Sequence, residues 1–116
     1  MKLEKFLPLL ERIKNSTARE PKGSILQIVK LFEEVGELAA EVIKREGYTY
    51  KEFEKEEFYS EVSDVIIMIW AFFFKAMEED KDLSFSRLLE VMSKKIDKWD
   101  TKLDKKTYWI QRKSND

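Results

Sequence analysis

At 116 residues the chain has single-domain length, and its 22 Lys plus Arg against 23 Asp plus Glu leave a net charge of −1, with no global basic field for nucleic acid. His and Cys are both absent, which excludes a disulfide framework, an imidazole or thiolate zinc site, and any Ser-His or Cys-His nucleophile. Chemistry in this chain runs on carboxylates, Lys, Arg, Tyr or Ser.

The longest apolar run, Val65 to Phe74, is about half of the ~20 residues a membrane helix needs, and Phe6 to Leu10 is too short for a signal-peptide core. A cytoplasmic protein without membrane attachment is expected. Three Gly, two Pro and no strand-like alternation predict an all-α fold, a four-helix antiparallel bundle filling one domain over 1–116. The first helix is expected from Lys2 to Lys14, with Leu3, Phe6, Leu7, Leu10 and Ile13 on one face. A loop from Asn15 to Gly23 follows. Ser24 and Gln27 have the form of a capping box opening the second helix, whose apolar residues Ile25, Ile28, Phe32, Val35, Ala39 and Val42 run until Gly47. Thr49 with Glu52 is a second such match, opening a third helix that continues to about Glu79. Ser84 caps a fourth, with Leu88, Leu89, Met92, Ile96, Trp99 and Leu103. The stretch 104–116 is expected to be a polar tail in which Tyr108, Trp109 and Ile110 pack on other surfaces.

Glu33, Glu34 and Glu37 fall within about one turn of the second helix and repel one another, so a compensating charge is expected. Lys30 and Lys44 are the nearby candidates. On the third helix Glu57, Glu61 and Asp64 stack on one stripe, and Asp64 is flanked by Met68, Ala71 and Phe72. A carboxylate beside apolar neighbours requires a partner cation, a Lys or Arg or a hard divalent ion held by oxygen ligands. Two acidic clusters facing each other across antiparallel helices favour the ion, and the absence of His speaks against a ferritin-like di-iron site. Glu41 and Glu57 share the stripes and are expected to be solvated. Val65 to Phe74 is apolar around the whole helix, which predicts burial on all sides, in part against another subunit.

The pair Glu33-Glu34-Val35-Gly36-Glu37 and, after 23 intervening residues, Glu61-Val62-Ser63-Asp64 resembles the signature of the MazG-like all-α nucleoside triphosphate pyrophosphatases. The resemblance covers about Ile25 to Lys102 and sets the expected core at 24–103. It implies Mg²⁺-dependent hydrolysis (Mn²⁺ being a substitute) of a nucleoside triphosphate between the α and β phosphates. It further implies a nucleotide-pool house-cleaning role and a homodimer or homotetramer. By position, Glu34, Glu37, Glu61 and Asp64 match the metal ligands, and Glu33 the accessory carboxylate that binds a further ion or positions water. Lys95 and Lys98 match a basic segment that holds phosphates. This chain has Trp99 and Leu103-Asp104 where the family often continues with Asn and a Tyr-Pro pair. Two alternatives stay open: phosphoribosyl-ATP pyrophosphatase, which shares the acidic pattern, and a non-catalytic helical interaction protein on the same fold.

Overall fold

Pro21 decides where the first helix stops. The residue before a proline is sterically pushed out of the α region, and Glu20 is extended (φ −78, ψ 121), so helix continues up to Arg19. In the computed structural model, which describes residues 3–115 (side chains of 3–106 and 109–111), a 3₁₀ turn Leu3–Lys5 leads into α1, Phe6–Arg19. The expected start at Lys2 lies outside the described residues. Pro8 sits in the first turn, where no intrahelical N–H is lost. The expected loop from Asn15 is therefore shorter: nothing in Asn15 to Arg19 breaks a helix, and the buried Thr17 satisfies its hydroxyl on the Ile13 carbonyl at 2.6 Å.

Helix α2 spans Ser24–Arg45. Its N-cap is Gly23, and the Ser24–Gln27 capping box does not form. Instead the carboxylate of Glu79, at the far end of the next helix, accepts hydrogen bonds from the Ser24 N–H at 2.8 Å and from the Ser24 hydroxyl. Those two bonds hold the Glu79 carboxyl below the usual Glu range. A Cβ on Gly23 would come within 2.8 Å of Glu79 Oε1, so glycine is what lets the cap approach. At the other end Gly47 takes φ +78, with bonds from the Gly47 N–H to the Lys44 carbonyl and from the Tyr48 N–H to the Ile43 carbonyl. This is the Schellman closure that a C-terminal glycine permits.

Helix α3 is Lys55–Glu79. It begins later than the Thr49–Glu52 pattern predicts, because the Thr49 hydroxyl accepts the Lys51 N–H in a local turn. Glu56 and Glu57 occupy the first turn, where the helix dipole favours acids. Helix α4, Phe85–Asn115, starts as expected with Ser84 accepting the Arg87 N–H at 3.1 Å. It does not end near Leu103: residues 104–115 carry no helix breaker and continue it. Trp109 and Ile110 are exposed on it, and the Tyr108 side chain lies outside the described residues.

The chain is thus all-α with four helices and, among the described residues, no strand. It divides into two units, one up to Lys81 and one from Asp82. In the first, α3 packs against both α1 and α2. Lys44 near the end of α2 meets Glu57 near the start of α3, while Ser24 meets Glu79, so these two helices run antiparallel along their whole length.

The face of α2 turned toward α3 overlaps the apolar arc only at its edge. Gln27, Leu31, Glu34, Leu38 and Glu41, spaced four and three apart, are less exposed together with Ile28 and Val42 of the arc, whereas Ile25 and Phe32 remain 77% and 71% exposed. Within α3, Ala71 and Phe74 are buried, but Ile66, Ile67 and Ile69 are open on one side, so the helix is not enclosed all round. Gly36 is neither a close-packing point nor needed to make room, since an added Cβ would meet nothing within 4 Å. Gly36→Ala is expected to stabilise the chain by ~1 kcal/mol, the helix-propensity difference. Thermal unfolding at fixed pH measures it, and a lowered midpoint would show that the glycine is required for contact.

Candidate metal centre

Carboxylates placed at inward positions of two antiparallel helices have to meet. Glu34 on α2 and Glu61 and Asp64 on α3, all half-buried, each bring one oxygen to a common point, with the three oxygens within 4.8 Å of one another. Exposed Glu37 lies in the same group, near enough to hydrogen-bond both Glu34 and Glu61. The seam between α2 and α3 therefore brings three of the expected ligand positions, Glu34, Glu61 and Asp64, to one point, with Glu37 beside them.

Electrostatically the group is unfinished. Burial, and after it the charges of Glu37 and Asp64, push the Glu34 carboxyl up from its ordinary value. Glu61 is pushed up by burial first and then by Glu37, Asp64 and Glu34. Lys30 gives Glu34 only the smallest of its influences. The buried side-chain polar atoms without a hydrogen-bond partner, among the described residues, are Oε2 of Glu34, Glu61 and Glu41, all on this seam. Buried acceptors without a donor are rare because each costs its full desolvation penalty. Oxygen-only, negatively charged and convergent, the set fits a hard divalent cation such as Mg²⁺ or Mn²⁺.

Glu33 is exposed and stands outside the three-oxygen group. It lines a neighbouring cleft of about 390 Å³ with Lys22, Gln27, Lys30 and Met68. A larger cleft of about 590 Å³, bordered by Phe6, Ile13 and Thr17 of α1 and by Ser63, Ile67 and Ala71 of α3, shares Glu20, Gln27 and Met68 with it. Sequence reading missed Lys22 and Lys30 as cleft residues because a lysine's role is set by what faces it. Lys95 and Lys98 are exposed one turn apart on α4, within the second unit.

Glu41 corrects an expectation. It is only 6% exposed rather than solvated, and Lys44 Nζ lies 2.8 Å from its Oε1 and 3.5 Å from Glu57 Oε2. The hydrogen bond to Glu41 is the main reason the Lys44 ammonium holds its proton more tightly than usual. The Glu41–Lys44 spacing of three was the visible signal for this pair. Among the described residues no helix is long and apolar enough to cross a membrane. No family model, curated protein or solved structure matches the chain.

Proposed function

We propose that the chain is a divalent-cation-dependent nucleoside triphosphate pyrophosphohydrolase of the MazG-like type, converting a nucleoside triphosphate and water to the monophosphate and pyrophosphate. The observation that carries this reading is the convergence of Glu34, Glu61 and Asp64, with partnerless buried oxygens on two of them. Glu34, Glu37, Glu61 and Asp64 would hold Mg²⁺. When bound there, the ion neutralises phosphate charge and makes the α-phosphorus a better electrophile. Glu33, at the edge of the adjoining cleft, orients the attacking water. Water adds to the α-phosphorus and releases a proton to solvent, the bond from that phosphorus to the bridging oxygen breaks, and pyrophosphate leaves with the electron pair.

Lys22 and Lys30, on the same cleft as Glu33, supply positive charge for the phosphates within the first unit. The apolar cleft between α1 and α3 begins at Ser63, next to Asp64 in sequence, and offers a surface for the nucleoside. Pyrophosphate release from a panel of ribo- and deoxyribonucleoside triphosphates plus phosphoribosyl-ATP, with Mg²⁺, tests the reading. Turnover of none of them would sink it in favour of an interaction protein, and exclusive turnover of phosphoribosyl-ATP would redirect it.

A homodimer or homotetramer is part of the same proposal. Ile25, Phe32 and Ile43 on α2 are exposed, and so are Leu89, Met92, Ile96, Trp99 and Leu103 on α4, at the alternating three and four spacing of a helix-packing seam. Light scattering at micromolar concentration is expected to give a multiple of the 13.9 kDa chain mass, and Phe32→Glu a smaller particle. A monomeric wild type would overturn this.

A further inference from the structure

The α2–α3 seam is longer than the three-oxygen group. Three carboxylates line it from α2, namely Glu34, Glu37 and Glu41, and three from α3, namely Glu57, Glu61 and Asp64. Antiparallel packing joins Glu34 with Asp64 at one end and brings Glu41 and Glu57 to one ammonium at the other. The two ends are neutralised differently. Around Glu34, Glu61 and Asp64 no ammonium or guanidinium lies within ion-pair distance among the described residues, whereas at the other end Lys44 Nζ is seated on Glu41 Oε1 and reaches Glu57 Oε2.

Lys44 neutralises that end incompletely. Glu41 is the most buried acid of the described residues, and its Oε2 still has no partner. A monovalent ammonium on a four-carbon tether satisfies one oxygen of Glu41 well and the Glu57 oxygen only at 3.5 Å, the far end of hydrogen-bond distance. A divalent ion with six oxygen positions has no such limit, because it takes a carboxylate through either or both oxygens and fills the remaining sites with water. Two rows of acids closed at one end by a fixed amine thus describe two cation positions, one of them already taken.

We infer that Glu41 and Glu57 form a second cation position of the seam, occupied in this chain by the Lys44 ammonium, and that Lys44 thereby confines divalent ions to the Glu34–Glu61–Asp64 end. The inference rests on the divalent-ion reading above for its function, but not for its test. Lys44 is a positioning residue: it keeps an ion from settling at the Glu41–Glu57 end, away from the cleft that Glu33 and Lys30 line. Its ammonium also fixes the ion count per chain, which four to six clustered carboxylates would otherwise leave open.

The test is titration of the full-length chain with Mn²⁺, counting bound ions per chain from the free-ion electron paramagnetic resonance signal. Lys44→Met is expected to bind one ion more than wild type, and Lys44→Met/Glu41→Gln to lose that extra ion. Equal counts in wild type and folded Lys44→Met overturn the inference. If wild type binds no Mn²⁺ but Lys44→Met binds one, the second position stands and the metal reading of the Glu34 end fails. Should Lys44→Met not fold, Glu41→Gln in the Lys44-containing chain decides: an unchanged count supports an ammonium occupant, and a count reduced by one shows that Glu41 ligates a metal and overturns it. Circular dichroism establishes which variants are folded.

Discussion

Asp64→Ala is expected to lower the turnover rate for pyrophosphate release by roughly 100- to 1,000-fold, with Glu37→Ala changing in the same direction. An ion on phosphate oxygens supplies several kcal/mol of transition-state stabilisation, and each ~1.4 kcal/mol is a factor of ten. Removing one of three convergent oxygens forfeits a large part of it. The same substitution has a second, independent signature. Binding of an ion to the folded chain alone adds about 2.7 kcal/mol at 100 times its dissociation constant, which for a domain near this size raises the unfolding midpoint by roughly 10 °C or more. Mg²⁺ or Mn²⁺ should therefore stabilise wild type strongly and Asp64→Ala hardly at all. Without the ion the order reverses, because Asp64 raises the cost of ionising both Glu34 and Glu61, so ion-free Asp64→Ala should be at least as stable as wild type. A structural salt-bridge residue would behave oppositely. An Asp64→Ala chain that keeps full activity, or one stabilised by Mg²⁺ as much as wild type, would overturn the site.

Local chemistry was legible where a local rule governed. Gly47 ends α2 because only the residue's own φ matters there, and Ser84 opens α4 because its hydroxyl meets a donor three residues on. The start of α2 could not be read in the same way. Its cap is Glu79, 55 residues distant in sequence, and Ser24 looks like an N-cap only until α3 arrives. The apolar arc of α2 misled for a related reason. Ile25 and Phe32 of that arc stay exposed, while its edge residues Ile28 and Val42 are half-buried beside Gln27, Leu31, Glu34, Leu38 and Glu41. Burial follows the packing partner, and here the partner face is built around carboxylates. The spacing of Glu34 and Glu37 against Glu61 and Asp64 was readable, since antiparallel helices leave few ways to arrange two such stripes. The fate of Glu41 was not, because whether an acid on the edge of a stripe is solvated or clamped depends on where α3 begins.

The ion-free chain should become more stable as pH falls through the raised values of Glu34 and Glu61 toward the ordinary Glu value of 4.5, an unusual direction that follows from those two acids. Both have folded-state values raised above 4.5, first by burial and then by neighbouring acids. Between 4.5 and those raised values the folded chain holds protons that the unfolded chain has lost. Stability therefore declines as pH rises through that window. Glu79 works the other way: its value is lowered by Ser24, so its contribution is present above 4.5 and is lost as pH falls through its folded value. Lys44, raised above 10.5, contributes at every pH in this range. The unfolding midpoint in chelator should consequently peak on the acid side of neutrality, with Glu61→Gln flattening the descending limb and Glu79→Gln removing part of the acid one. Saturating Mg²⁺ inverts that slope, since the ion binds the deprotonated carboxylates and competes with their protons. A chelated midpoint that stays level or climbs from pH 5 to 7 would mean that the two acids are not held against their charge. The repulsion proposed to draw a cation to the seam would then be absent.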